Sequence, residues 1–102
     1  MTKFINLHTH QFSNLSDVME VVNQYPWEFD ASIPSYSIGI HPWYIDENRL
    51  ETDLEIIKEK LQLSECLALG ECGLDKRIEI PLELQMSVFK KQLEIVKQTN
   101  KP

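Results

Sequence analysis

Residues 4–10 read FINLHTH, and this stretch of the chain decides the fold. Its first part, Phe4 to Leu7, has the apolar character of a buried strand, the kind that is covered on both faces in a parallel sheet. Successive side chains of a strand point to opposite faces, so His8 and His10 share one face. The stretch predicts a strand whose end presents two imidazoles to a candidate metal ion.

The next segments alternate between helical and extended patterns. Apolar residues at helical spacing predict a helix that stops before Pro26: Leu15, Val18, Met19 and Val22. A short extra strand is a weaker prediction for residues 29–33. Residues 35–40 form the second strand, which ends before Pro42 because proline cannot donate to a strand ladder.

The second half of the chain continues the same alternation. A helix is predicted over residues 49–61, with a single apolar stripe formed by Leu50, Leu54, Ile57 and Leu61. Cys66 to Leu69 form a third, wholly apolar strand, and Pro81 suits the first turn of a third helix. The core-facing stripe predicted for that helix contains Leu82, Met86, Phe89, Leu93 and Val96, widened by Leu84, Val88 and Ile95.

Strands alternating with helices predict an α/β fold of parallel strands joined by right-handed crossovers. Three such strands would leave open sheet edges and one uncovered apolar face. We therefore expect residues 1–102 to be a single partial domain, the N-terminal part of a larger barrel or sheet, apparently truncated. Copies that pair through the open edges would self-associate.

Bulk composition narrows the function classes. The 102 residues are 42% hydrophobic and 25% charged, an ordinary balance for a soluble domain. No apolar run approaches the length of a membrane span, and the first residues lack a secretory signal, so we expect a cytoplasmic protein without membrane contact. A net charge of −6 argues against a broad nucleic-acid surface, although bound divalent ions would still attract phosphate. Cys66 and Cys72 are expected to be free thiols.

Residues of the type that bind metals follow each predicted strand. His8 and His10 follow the first, His41 follows the second, and Glu71 and Asp75 follow the third. The carboxyl ends of parallel strands gather at one rim, so all three histidines of the chain are expected there with the two acids. Imidazole and carboxylate together suit zinc, manganese, iron or nickel.

The two acids allow different interpretations. Glu71 stands between Gly70 and Gly73, whose small size permits close backbone approach, and a carboxylate held there could bridge two ions. Asp75 fits a role in the site and a salt bridge with Lys76 or Arg77 about equally well.

Several ordered motifs resemble those of the TatD-type metal-dependent hydrolases. They are residues 6–10 (NLHTH), residues 39–42 (GIHP) and residues 68–75 (ALGECGLD). The following helix also matches the family pattern at Gln85, Phe89, Gln92 and Leu93, and so does the closing Lys101-Pro102, which in the family leads into the next strand. The resemblance covers nearly the whole chain.

The resemblance implies a TIM-type (β/α) barrel of the amidohydrolase kind with two divalent ions, of which Zn, Mn, Mg, Ni and Fe are candidates. The family includes deoxyribonucleases that cleave phosphodiester bonds in DNA. By this resemblance His8 and His10 hold one ion, Glu71 bridges both, and His41 lies near the substrate phosphate. Asp75 would join Glu71 in catalysis by supporting the site from behind the ligands. A metal-activated water would attack phosphorus.

The family draws further histidine and aspartate ligands from later strands, which this chain does not contain, and a typical barrel needs about 250 residues. We therefore expect the chain alone to bind divalent ions weakly and to be nearly inactive. Two alternatives stay open. The same metal site could hydrolyse a small ester or amide that is not a nucleic acid, or the chain could be a non-catalytic α/β interaction module with structural histidines.

Overall fold

A computed structural model describes residues 4–9 and 18–102, with side chains from residue 20 onward. Its strands are β1 (Phe4–Thr9), β2 (Val18–Gln24), β3 (Tyr36–Ile38) and β4 (Cys66–Leu69). Its α-helices are α1 (Leu50–Leu61) and α2 (Leu82–Lys97). The four strands form one parallel sheet in the order β1-β2-β3-β4.

The predicted α/β class with parallel strands is confirmed. Helix α1 connects β3 to β4, and α2 follows β4. Parallel strands that neighbour one another in chain order are the arrangement found in a (β/α) barrel, so the fold matches the N-terminal part of such a barrel. Within the part of the chain that the structure describes, no helix is long and apolar enough to cross a membrane.

The helix predicted between the first two strands is wrong, because Val18, Met19 and Val22 belong to β2. Leu15, the other residue of that pattern, lies outside the described residues. β2 pairs with β1 on one side and β3 on the other, and residues 20–24 are all buried. A strand covered on both faces loses the alternation that separates a strand from a helix. The sheet therefore has four strands where three were predicted.

The short strand predicted at residues 29–33 is also wrong, since this segment is a turn. The Asp30 carboxylate accepts hydrogen bonds from the backbone N–H of Ser32 (2.9 Å) and from its hydroxyl (2.6 Å). The buried Gln24 amide then accepts the Asp30 N–H at 2.7 Å and donates to the Asp30 carbonyl at 3.1 Å. Aspartate and serine favour such local turns over a strand ladder.

The hydrophobic core lies between the sheet and the two α-helices. Its buried members are Tyr36, Ile38, Ile40, Ile57, Leu61, Cys66 and Val88. The stripe predicted for α1 is confirmed, because Ile57 and Leu61 are buried and Leu50 and Leu54 pack against the core. The predicted strand at Cys66 to Leu69 matches β4, and the strand predicted over residues 35–40 is the shorter β3.

Only part of the stripe predicted for α2 faces the core, where Val88 is buried and Leu84, Ile95 and Val96 pack. Leu82, Met86 and Leu93 are 37%, 40% and 42% exposed, whereas the buried residues of this helix are Gln85, Val88 and Gln92. Apolar residues occur on both the inner and the outer side of α2, so hydrophobicity alone does not choose its inner face. The choice follows from hydrogen bonds, because both glutamine amides bind backbone groups of the loops beyond the sheet.

After α2 the chain returns to the outer edge of β4, where the Leu69 N–H donates to the Pro102 carbonyl at 2.8 Å. The side chain of the neighbouring Lys101 reaches the C-terminal end of α1. Its Nζ donates to the carbonyls of Leu61 (2.6 Å) and Leu63 (2.7 Å). A lysine at this place satisfies orphan carbonyls and complements the negative end of the helix.

We expect the Lys101→Met variant to lower the free energy of unfolding by about 1–2 kcal/mol. Methionine keeps the apolar stem of the side chain but cannot donate to the two carbonyls. Urea unfolding would measure the loss, with Lys97→Met, at an exposed lysine of α2, as the matched control. Equal midpoints for the two variants would show that this contact contributes nothing to stability.

Candidate functional site

An open cleft of about 1030 Å³ lies at the carboxyl ends of β3 and β4. Its floor is the face of the sheet opposite the helices and contains Asn23, Ser37 and Ala68. Its rim contains His41, Trp43, Glu71, Asp75 and Arg77. The predicted gathering of His41, Glu71 and Asp75 at one place is therefore observed in the structure.

The loop after β4 places Glu71 in this cleft. The backbone of residues 70–71 passes so close to β3 that a Cβ atom on Gly39 would lie 2.7 Å from the Glu71 carbonyl oxygen. The Gly70–Glu71 peptide bond is cis. Gly73 has a φ of +140°, a conformation that side chains disfavour, so glycine allows the loop to turn after Glu71.

The Glu71 side chain is half-buried. It accepts a hydrogen bond from the hydroxyl of Tyr25, the residue that directly follows β2. Burial raises the pKa of Tyr25, and the Glu71 carboxylate raises it further because a second negative charge nearby is unfavourable. Tyr25 therefore stays a neutral hydrogen-bond donor near neutral pH. This contact orients a carboxylate at the place where a cation ligand is expected.

His41 follows β3 and begins a short 3-10 turn over Pro42–Tyr44. Its Nδ1 accepts the backbone N–H of Trp43 at 3.1 Å, and its ring packs against those of Trp43 and Tyr44. A nitrogen that accepts a hydrogen bond keeps its lone pair, so the neutral ring carries its proton on Nε2. His41 is thereby built to donate a hydrogen bond from Nε2.

Asp75 links the two rim loops. One carboxylate oxygen accepts the Trp43 indole N–H at 2.8 Å, and Arg77 donates to both oxygens through its side chain and to one through its backbone N–H. Arg77 first, and then Trp43, hold the pKa of Asp75 well below its usual range. The stabilisation from this ionised cluster is present above the ordinary carboxyl pKa and is lost as the pH falls toward the lower folded value.

The remaining predicted ligands come from the first strand. His8 lies within β1, but its side chain is not among those described, and His10 lies outside the described residues. Because β1 runs parallel to β2, its carboxyl end lies at the same edge of the sheet as the ends of β3 and β4. Within residues 20–102, no group of three or more His, Cys, Asp or Glu side chains forms a complete metal site.

Four further residues shape the rim without having been assigned a role from the sequence: Tyr25, Trp43, Gln85 and Gln92. Tyr25 orients Glu71, Trp43 joins His41 to Asp75, and each glutamine binds a rim loop. The glutamines left a detectable signal, because their spacing of about two helical turns places both amides on one face of the helix. The aromatic residues left none, because the acids that they bind, Glu71 for Tyr25 and Asp75 for Trp43, are distant in sequence.

Comparison with known proteins supplies the family. All of residues 1–102 match the family model described as TatD related DNase, so the chain belongs to this family and the resemblance seen in the motifs is confirmed. It is also 32% identical over 90 residues to YabD of Bacillus subtilis (strain 168), described as an uncharacterized metal-dependent hydrolase. The match covers 86% of this chain and 32% of the relative, so the chain spans about a third of that relative's length.

Proposed function

We propose that this protein is a divalent-metal-dependent hydrolase that cleaves phosphodiester bonds in DNA or nucleotides. The observation that carries the proposal is that Glu71 and His41 line one cleft beyond the carboxyl ends of parallel strands. The end of β1, which contains His8, lies at that same edge. Family membership and the description of the Bacillus relative support a metal-dependent hydrolase in general.

The donor set fits a divalent ion. Glu71 offers carboxylate oxygens oriented by Tyr25, and His8 and His10 would add imidazole nitrogens from the neighbouring strand end. We propose that the two histidines hold one ion and that Glu71 bridges it to a second. Two ions bound there would supply Lewis acidity and lower the pKa of a water molecule. We propose that further ligands, of the kind that the family draws from later strands, complete the site.

We propose that His41 binds the substrate phosphate. A metal ligand needs a free lone pair, but the lone pair on Nδ1 of His41 already accepts the Trp43 N–H and the neutral ring carries a proton on Nε2. The Nε2–H is suited to donate to a phosphate oxygen. The exposed faces of Trp43 and Tyr44 beside it leave that side of the cleft open to an incoming ligand.

We propose that Asp75 supports catalysis without accepting a proton itself. Its carboxylate oxygens are engaged by Trp43 and Arg77, and its lowered pKa makes it a weak base. Its part is to fix Trp43, whose backbone N–H in turn fixes the His41 ring. This leaves Glu71 as the described acid that faces the ions directly.

The test is hydrolysis of bis(p-nitrophenyl) phosphate by the protein as encoded, with added Mn²⁺ and with a chelator. We expect turnover with Mn²⁺, and a loss of turnover on chelation, from a protein that includes the ligands of the later strands, and nearly none from residues 1–102 alone. The His41→Phe variant should reduce kcat/KM by about 10-fold to 100-fold, since it removes one hydrogen bond to a charged group but keeps an aromatic ring. Its affinity for Mn²⁺ should stay unchanged.

The outcomes separate the alternatives. Hydrolysis of p-nitrophenyl acetate or of an amide in preference to the phosphodiester would favour a small-substrate hydrolase. A melting temperature that does not respond to Mn²⁺ or to chelator, together with no hydrolysis, would favour the non-catalytic interaction module. A loss of Mn²⁺ affinity in His41→Phe would contradict the assignment of His41 to the phosphate.

A further inference from the structure

Two buried glutamines of α2 make unusual contacts with the rim of the cleft. Gln85 and Gln92 are each only 1% exposed, although glutamine is normally a surface residue. They lie about two helical turns apart and so share one face of the helix. Burying an amide is costly unless each of its polar groups finds a partner.

The partners of Gln92 belong to the loop that carries His41. The Ile40 N–H donates to Oε1 of Gln92 at 2.8 Å, and Nε2 of Gln92 donates to the carbonyls of Ile40 and Val88, each at 3.4 Å. Ile40 directly precedes His41 and is itself buried. The side-chain amide thus binds both backbone groups of one residue, as a neighbouring strand would do.

Gln85 repeats this arrangement on the loop after β4. The Asp75 N–H donates to Oε1 of Gln85 at 2.8 Å, and Nε2 of Gln85 donates to the Asp75 carbonyl at 3.1 Å and to the Ile80 carbonyl at 2.8 Å. A carboxamide combines one acceptor and two donors at this reach. A leucine side chain can neither donate nor accept a hydrogen bond, and an ionised glutamate can only accept one.

We propose that Gln85 and Gln92 are positioning residues, through which one helix sets the placement of both rim loops. Gln92 fixes the backbone before His41, and Gln85 fixes the backbone of Asp75. The two loops meet where the Trp43 indole donates to Asp75 at 2.8 Å, and Trp43 in turn holds the His41 ring. The catalytic part of this proposal rests on the proposed role of His41 toward phosphate.

The first test uses Gln92→Leu in the protein as encoded, with Gln98→Leu as the matched control at an exposed glutamine. We expect Gln92→Leu to lower kcat/KM for bis(p-nitrophenyl) phosphate by about 10-fold to 100-fold, because small misplacements of a binding group have effects of this size. The ¹⁵N resonances of the His41 ring should shift from the Nε2–H tautomer toward a mixture of tautomers. Gln98→Leu should change neither readout.

The second test uses Gln92→Glu, which discriminates positioning from simple packing. A protonated carboxyl group both donates and accepts, so this variant should approach the unchanged protein at acidic pH. An ionised carboxylate cannot donate to Ile40, so its kcat/KM relative to the unchanged protein should fall as the pH rises. Gln85→Leu should shift the Trp43 indole N–H resonance and weaken the His41 tautomer preference in the same direction.

A Gln92→Leu protein with an unchanged His41 tautomer and kcat/KM within about 2-fold of the original would overturn the proposal. If Gln92→Leu does not fold, a pH-independent ratio for Gln92→Glu overturns it instead. The ring resonances need no turnover, so they decide the positioning role even if the unchanged protein hydrolyses no phosphodiester. A lack of phosphodiester hydrolysis by the unchanged protein would contradict only the proposed function.

Discussion

The Glu71→Gln variant is expected to bind Mn²⁺ at least about 100-fold more weakly than the unchanged protein and to lose hydrolysis in proportion. Glutamine has nearly the shape of glutamate, and its carbonyl oxygen can still accept the hydrogen bond from Tyr25. The change therefore removes the negative charge that attracts the ions while preserving the contact that orients the side chain. Calorimetric titration with Mn²⁺ and the melting temperature with and without the ion would measure the effect.

The matched control is Glu79→Gln, an exposed glutamate in the segment between β4 and α2. It carries the same change in net charge, so it reports any general electrostatic effect on cation binding. We expect it to keep the original Mn²⁺ affinity. Equal affinities in the two variants would remove Glu71 from the proposed metal site, whereas the stabilisation of the fold by Mn²⁺ should disappear only in Glu71→Gln.

The Gly39→Ala variant should be destabilised by about 1–3 kcal/mol and should also lose Mn²⁺ affinity. Its added Cβ would lie 2.7 Å from the Glu71 carbonyl oxygen and 3.1 Å from the Gly70 carbonyl carbon. Both atoms belong to backbone, which cannot rotate away as a flexible side chain would. The loop after β4 must move, and the carboxylate moves with it. Urea unfolding and Mn²⁺ titration would measure the two losses.

Gly73→Ala provides a contrast in the same loop. A Cβ added there meets nothing within 4 Å, but the φ of +140° is unfavourable for alanine. We expect its cost to come from backbone conformation, without the collision with β3 that displaces Glu71. If Gly39→Ala unfolds at the original urea concentration and binds Mn²⁺ as before, the close packing of the two strand ends has no bearing on the site.

Local patterns were sufficient where one face of an element is buried and the other is solvated. Helix α1 was predicted close to its observed bounds for this reason, and the short strand β4 was predicted from its wholly apolar run. Strand β2 was not predicted as a strand, because neighbours on both sides bury its polar residues as well. Asn23, for example, accepts a hydrogen bond from the Ser37 hydroxyl at 2.6 Å within the sheet. The register of β2 with other strands is long-range information that a helical spacing rule cannot contain.

The rim was predictable in outline because the carboxyl ends of parallel strands must meet. That argument brought His41, Glu71 and Asp75 together, and the structure places all three around one cleft. The contacts that orient them were not predictable. The hydrogen bond between Ile40 and Gln92 joins residues 52 positions apart. Only the packing of α2 against the sheet brings them within hydrogen-bonding distance.

The hydrogen bond between Leu69 and Pro102 bears on association between molecules. A strand from a second copy that adds to the outer edge of β4 would compete with the chain's own backbone for the Leu69 N–H. Lys101, anchored on the end of α1, raises the local concentration of that internal competitor. We propose that weakening the Lys101 anchor would favour intermolecular pairing at this edge, so that Lys101 would act against oligomer formation through β4.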